Sequence, residues 1–155
     1  MRKYYLLPHR YERIGWVMFL VSVLIIAAYY FLDVLPPMGD TTVFTLLPSN
    51  GPLDGFLTKN DSWWDEIGFV MLYVSLYFIS MSALKEEDEM TLSIRLRSLV
   101  WALTTTTILL VVVELFVYGF GFLYVMMFQG IFIFLVYILR FKYMIYKMRK
   151  ENNEE

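Results

Sequence analysis

The sequence predicts an all-α fold, a bundle of four transmembrane helices with both termini in the cytoplasm (N-in/C-in) and helical cytoplasmic extensions. Three observations carry this. Apolar residues make up 59% of the 155-residue chain. They concentrate in four stretches, 14–35, 67–84, 99–118 and 120–139. Each stretch has the roughly 20 residues that a helix needs to cross ~30 Å of hydrocarbon. Finally, all 13 lysines and arginines except Lys59 fall before the first stretch, between the second and third, or after the fourth. If the spans alternate, these segments share one side, and the positive-inside rule makes that side the cytoplasm. The chain reads as a single integral membrane domain, 1–155.

The first 13 residues carry Arg2, Lys3, Arg10 and Arg13 among Tyr4, Tyr5 and Tyr11, a mixture suited to headgroup level. Pro8 breaks the chain before the span. His9 is the only histidine. It reads as an interfacial residue, since a lone histidine lacks the companions that metal binding or nucleophilic catalysis requires. The first span is too long for a typical signal peptide and is followed by no small-x-small cleavage site, so it reads as retained.

The outer loop, 36–66, is rich in turn formers: Pro36, Pro37, Gly39, Pro48, Gly51, Pro52 and Gly55. Within it, the β-branched run Thr41–Leu47 is a candidate strand or interfacial segment. Leu53, Phe56 and Leu57 are candidates to dip back toward lipid. Ser62 and Asp65 resemble a capping box for the second span, with Trp63 and Trp64 as its aromatic belt.

The acids Glu86–Glu89 suit a helix N-terminus. Helical spacing of Met90, Ile94, Leu92, Leu96 and Leu99 predicts one long helix over 87–118. Its first turns project into the cytoplasm. Tyr118-Gly119-Phe120-Gly121 reads as a tight turn in which glycines supply positive φ. Beyond the fourth span, Phe141, Met144, Ile145 and Met148 recur at i, i+3, i+4 and i+7, with Lys142, Lys147, Arg149 and Lys150 around them. Residues 140–150 are therefore a basic amphipathic helix for the membrane surface or a partner. The tail after it, 151–155, reads as disordered.

The chain has no cysteine, which excludes disulfides and thiol chemistry. No HExxH, GxSxG, P-loop or GxGxxG motif occurs, and no cofactor is implied. The chain therefore reads as not an enzyme. Two groups of candidate residues remain. Glu87, Asp88, Arg95 and Arg97, with Lys142, Lys147, Arg149 and Lys150, form a candidate interaction surface; Glu87 or Asp88 shares a helix face with Arg95. Glu114 and Gln129 are candidate intramembrane polar residues. In a hairpin centred near residue 120 they face each other, so Glu114 is expected to hydrogen-bond to Gln129 or Tyr124, with an ion or proton site as the sharper alternative. Thr104–Thr107 reads as a packing face that bonds back to its own helix, with Ala102 and Thr106 as a small-xxx-small pair. A polar lining with Ser75, Ser80 and Ser82 is the alternative.

Several strings resemble small four-span inner-membrane proteins of Bacteroidetes-type bacteria. They are Leu7-Pro8-His9-Arg10 with Ile14-Gly15-Trp16, and Glu87-Asp88-Glu89 followed by Ile94-Arg95-Leu96, Ser98-Leu99 and Trp101-Ala102. Tyr118-Gly119, Phe122-Leu123, Val125-Met126 and Arg140-Phe141 continue the likeness. Position 129 is Gln where that family has Asn, and Glu114 has no counterpart in it. The resemblance implies topology and a bacterial inner-membrane location; it implies no activity. Expected partners are anionic lipid headgroups and a protein partner or second copy, not nucleic acid. The reading is a non-enzymatic regulatory or assembly component acting through its cytoplasmic face. The alternative is a small oligomeric channel or holin-like pore.

Overall fold

A computed structural model describes residues 6–32, 35, 41–44, 57–60, 63–85 and 88–154. Helix α1 spans Arg10–Ala27 and continues as a π-helical segment, Ala28–Leu32. Strands β1 (Thr41–Phe44) and β2 (Leu57–Asn60) pair antiparallel, with Thr41 opposite Asn60 and Phe44 opposite Leu57. Helices α2 (Trp64–Met81), α3 (Glu89–Glu114) and α4 (Phe120–Glu154) follow. All four helices are long and apolar enough to cross a membrane.

The bounds differ from the sequence reading in informative ways. Thr41–Phe44 is the strand of the two alternatives, paired with Leu57–Asn60. Leu53, Phe56 and the Ser62 cap lie outside the described residues. Helix α3 ends at Glu114 rather than 118. Its last carbonyls are closed off by the amides of Leu115, Phe116 and Val117. The chain then reverses through Gly119, whose φ of 67° is the left-handed conformation that a side chain disfavours. Gly121 already belongs to α4. The tail through Glu154 is helical rather than disordered, which makes α4 one 35-residue helix, about 52 Å long.

Two compact units are distinguished, Met1–Trp16 with Tyr73–Glu155, and Val17–Leu72. The second holds most of α1, the first half of α2 and the hairpin. In it, Ser22 is fully buried and its hydroxyl donates to Phe19 O at 2.8 Å. The first unit gathers the opening turns of α1, the second half of α2, α3 and α4.

The interior mixes hydroxylated with apolar side chains, and much of the exterior is bulky and apolar. Buried side chains include Ser22, Ser75, Ser80, Ser82, Thr91, Arg95, Ser98 and Thr106, whereas Leu24, Phe31, Val70, Leu123 and Leu139 are each more than 60% exposed. Leu76, Ile79, Ile94 and Ile131 are buried too; hydroxylated side chains within a packed interior, with bulky apolar ones outside, are a pattern a hydrocarbon solvent favours. Ala102 and Thr106 are both buried, and Thr106 and Thr104 donate to Ala102 O and Val100 O at 2.7 and 2.9 Å. Of the run, Thr106 is thus the buried packing residue, while Thr104 and Thr107 are exposed; Thr104 and Thr106 use their hydroxyls on their own helix. Ser80 and Ser82 likewise donate to Tyr77 O and Phe78 O.

Gly15 sets the approach of α1 to α2. A Cβ there would lie 2.8 Å from Ile79 Cγ1 and 3.1 Å from both Ile79 N and Ser75 O. Two of these neighbours are backbone, so a rotamer change cannot relieve the clash. Gly15→Ala is expected to lower the unfolding free energy by about 1–3 kcal/mol. Thermal or denaturant unfolding in detergent measures it, and an unchanged midpoint would contradict the close packing.

Candidate functional site

The C-terminus of α2 is the most heavily bonded place in the first unit. The last carbonyls of any helix lack intrahelical partners. Here those of Ser80 and Met81, and of the two residues that follow the helix, are taken one by one. Arg95 Nη1 donates to Ser80 O at 2.8 Å, and its Nη2 donates to Ser82 O at 3.1 Å. Leu7 N donates to Met81 O at 2.9 Å. His9 Nδ1 lies 3.2 Å from Ala83 O, a bond made by the tautomer carrying its proton there. Ala83 N returns a bond to Leu7 O at 2.8 Å, so Leu7 and Ser82 form an isolated parallel bridge.

Arg95 reaches α4 as well. Nη1 donates to Tyr137 Oη at 3.3 Å, and the guanidinium lies 4.5 Å from the Phe141 ring centroid. Tyr137 and Phe141 stack nearly parallel, 9° apart in plane. A planar fork suits this set of acceptors, which an ammonium cannot span. The positive charge also sits at the negative end of the α2 dipole. Arg95 is 8% exposed. It is therefore a buried connector of α2, α3 and α4, not part of the exposed interaction surface expected of it.

Asp88 has a different task. Its carboxylate accepts from Thr91 N at 2.7 Å and caps α3. The backbone hydrogen bond from Thr91 holds its pKa below the ordinary 3.8. Glu87 lies outside the described residues. Arg97 is exposed, and Arg140 rather than Arg97 meets the aromatic of this helix, lying 4.1 Å from the Trp101 ring centroid.

The amphipathic continuation of α4 places Phe141 and Ile145 in the core, with Met144 and Met148 half-buried. Its apolar stripe is consequently used inside the protein and is not laid on a membrane surface. Lys142 pairs with Glu12 at 2.6 Å and stands 5.2 Å from the Trp16 ring centroid. Lys147 pairs with Glu151 at 3.7 Å. Lys147, Arg149 and Lys150 are exposed.

Beside the α2 terminus lies a cleft of about 450 Å³. His9, Glu12, Lys85, Lys142 and Arg149 supply its charged and titratable groups, and Ile138, Phe141 and Ile145 part of its apolar wall. A second cleft, about 300 Å³, lies between α3 and α4 and includes Gln129, Tyr124 and Thr106 in its lining. Glu114 is half-buried but makes no hydrogen bond to Gln129 or Tyr124 among the described residues. The expected pairing is not formed, because α3 ends at Glu114 and the chain turns away from there. Among the described residues, no group of three or more His, Asp or Glu side chains is placed to hold a metal ion.

Comparison with known protein families, characterised proteins and solved structures gives no match. The site rests on its own geometry.

His9 and Arg95 are the residues whose roles sequence reasoning missed. A signal existed for Arg95. On α3 it shares a face with Thr91, Ser98, Ala102 and Thr106, the small and hydroxylated side that a membrane helix turns inward. No local signal marks His9, whose partner is 74 residues away.

Two outcomes follow from these contacts. Arg95→Met leaves Ser80 O and Ser82 O without donors, and should lower the unfolding free energy by about 2–4 kcal/mol, with Arg95→Lys recovering little of it. Denaturant unfolding in detergent measures both; full recovery by Lys would contradict the forked geometry. For Asp88, the folded-state pKa is depressed, so its capping contribution is present above the unfolded pKa and lost as pH falls through the folded one. The Thr91 amide proton resonance should titrate with a midpoint below 3.8. That titration should vanish in Asp88→Asn. A midpoint at or above the ordinary value would refute the cap.

Proposed function

We propose that the chain is a bacterial inner-membrane protein, N-in/C-in, and a non-enzymatic regulatory or assembly component. Its working surface is the end where α2 exits, α3 begins and α4 runs past its apolar stretch. One observation carries this reading. The apolar stripe of the α4 continuation is already covered inside the protein, so what the helix presents outward is a set of cations, Lys142, Lys147, Arg149 and Lys150, together with Tyr143 and Tyr146. A helix continuous with a membrane span presents them at fixed spacing, which suits an acidic protein partner near an anionic leaflet. The distribution of lysine and arginine supports the orientation.

The native chain lacks cysteine, so single-cysteine variants report cleanly on sidedness. An impermeant reagent added to intact cells should label Lys59→Cys and spare Arg97→Cys and Glu151→Cys. With a photoreactive residue in place of Lys147, crosslinks to a different protein are expected. The same residue in place of Leu123, on the apolar exterior of α4, should give none. Labelling of position 151 in intact cells would overturn the orientation. Crosslinks confined to a second copy through position 123 would overturn the component reading in favour of a pore.

A further inference from the structure

We propose that the cleft beside the α2 terminus is a specific seat for the phosphodiester headgroup of an anionic phospholipid. The cleft has a mixed lining. Lys85, Lys142 and Arg149 bring three permanent cations to it, against the single described carboxylate of Glu12. Glu12 is committed to Lys142, at 2.6 Å, and an ammonium with three donors has two left after that bond. Lys85 and Arg149 form no ion pair among the described residues. An arginine fork and two lysines around one opening suit a phosphate, whose oxygens accept several charge-assisted bonds at once.

The apolar part of the lining decides between kinds of phosphate. Ile138, Phe141 and Ile145 are each less than 8% exposed, and they give the cleft an apolar side. A free inorganic ion has no use for that side. A glycerophospholipid does, because its first methylenes continue directly from the charged group. The volume of about 450 Å³ accommodates a headgroup with the beginning of its chains. The cleft also lies at the position where α4 passes from its apolar stretch, ending near Leu139, to its basic one. The inference rests on the membrane placement proposed above, which sets this position at headgroup level.

Two of the outer cations, Lys142 and Arg149, line the cleft; Lys147, which is paired with Glu151, and Lys150 do not. Lys147 and Lys150 are therefore a control for general electrostatic attraction.

The test uses the full chain in nanodiscs of phosphatidylcholine doped with phosphatidylglycerol, followed by native mass spectrometry. One phosphatidylglycerol should be retained per chain. Lys85→Gln with Arg149→Gln should weaken retention by about tenfold or more, while Lys147→Gln with Lys150→Gln leaves it unchanged. Circular dichroism of both double variants confirms that folding survives; all four side chains are exposed. Equal retention by the cleft variant, or equal loss from the control variant, would overturn the proposal. Displacement of the lipid by millimolar inorganic phosphate would overturn the lipid assignment and make the site one for a free anion. The nanodisc carries the same lipids in both leaflets, so this result is independent of orientation in the cell and fails separately from it.

Discussion

The carbonyl oxygens at the end of α2 are the constraint around which the rest of the first unit is arranged. A helix ending close to hydrocarbon cannot leave those groups to water, and each one left bare costs free energy. In this chain the oxygens of residues 80, 81, 82 and 83 are met in turn by Arg95, the Leu7 amide, Arg95 again and His9. The donors come from the N-terminal segment and from α3, and Arg95 continues to Tyr137 and Phe141 on α4. One accounting problem in the backbone thus joins the N-terminal segment to three helices. It also forms the wall of the cleft that carries Lys85, Lys142 and Arg149.

The apolar exterior and the hydroxyls buried inside follow from the solvent. Lipid offers no driving force to hide leucines, so association depends on close approach and on hydrogen bonds. Gly15 opens the α1–α2 contact, and Ala102 and Thr106 are small enough to be completely covered on α3. Thr104 and Thr106 satisfy their hydroxyls on the preceding turn, whereas the buried Ser98 Oγ on the same helix finds no hydrogen-bond partner among the described residues. Toward residues 141–148 the ordinary rule returns. There α4 puts Phe141 and Ile145 inside and its cations outside, as an amphipathic helix does in water.

Much of this was legible in the sequence because it is local and periodic. Span number follows from apolar length. The buried stripe of the α4 continuation follows from the 141, 144, 145, 148 spacing, although its destination is the protein interior and not a membrane surface. The α3 cap follows from the acids before it, though only the structure singles out Asp88. What was not legible is long-range. The Leu7–Ser82 bridge and the His9–Ala83 bond join residues about 75 apart, and no propensity records them. Arg95 was misplaced because its charge drew it toward the surface, while its helical face, shared with Ser98 and Ala102, pointed inward. The Glu114–Gln129 pairing failed for the opposite reason. It extrapolated an ideal hairpin through a turn that begins at Leu115 and passes through a left-handed glycine.

The central claim, that Arg95 supplies the donors for the end of α2, is most directly tested by solid-state NMR of the full chain in bilayers. Guanidinium-¹⁵N arginine and carbonyl-¹³C serine allow dipolar dephasing to be read at Ser80 and Ser82. Strong dephasing at both is expected from donor–acceptor separations of 2.8 and 3.1 Å, and it should disappear in Arg95→Lys. Serine signals that dephase no more at 80 and 82 than at Ser22 would contradict it.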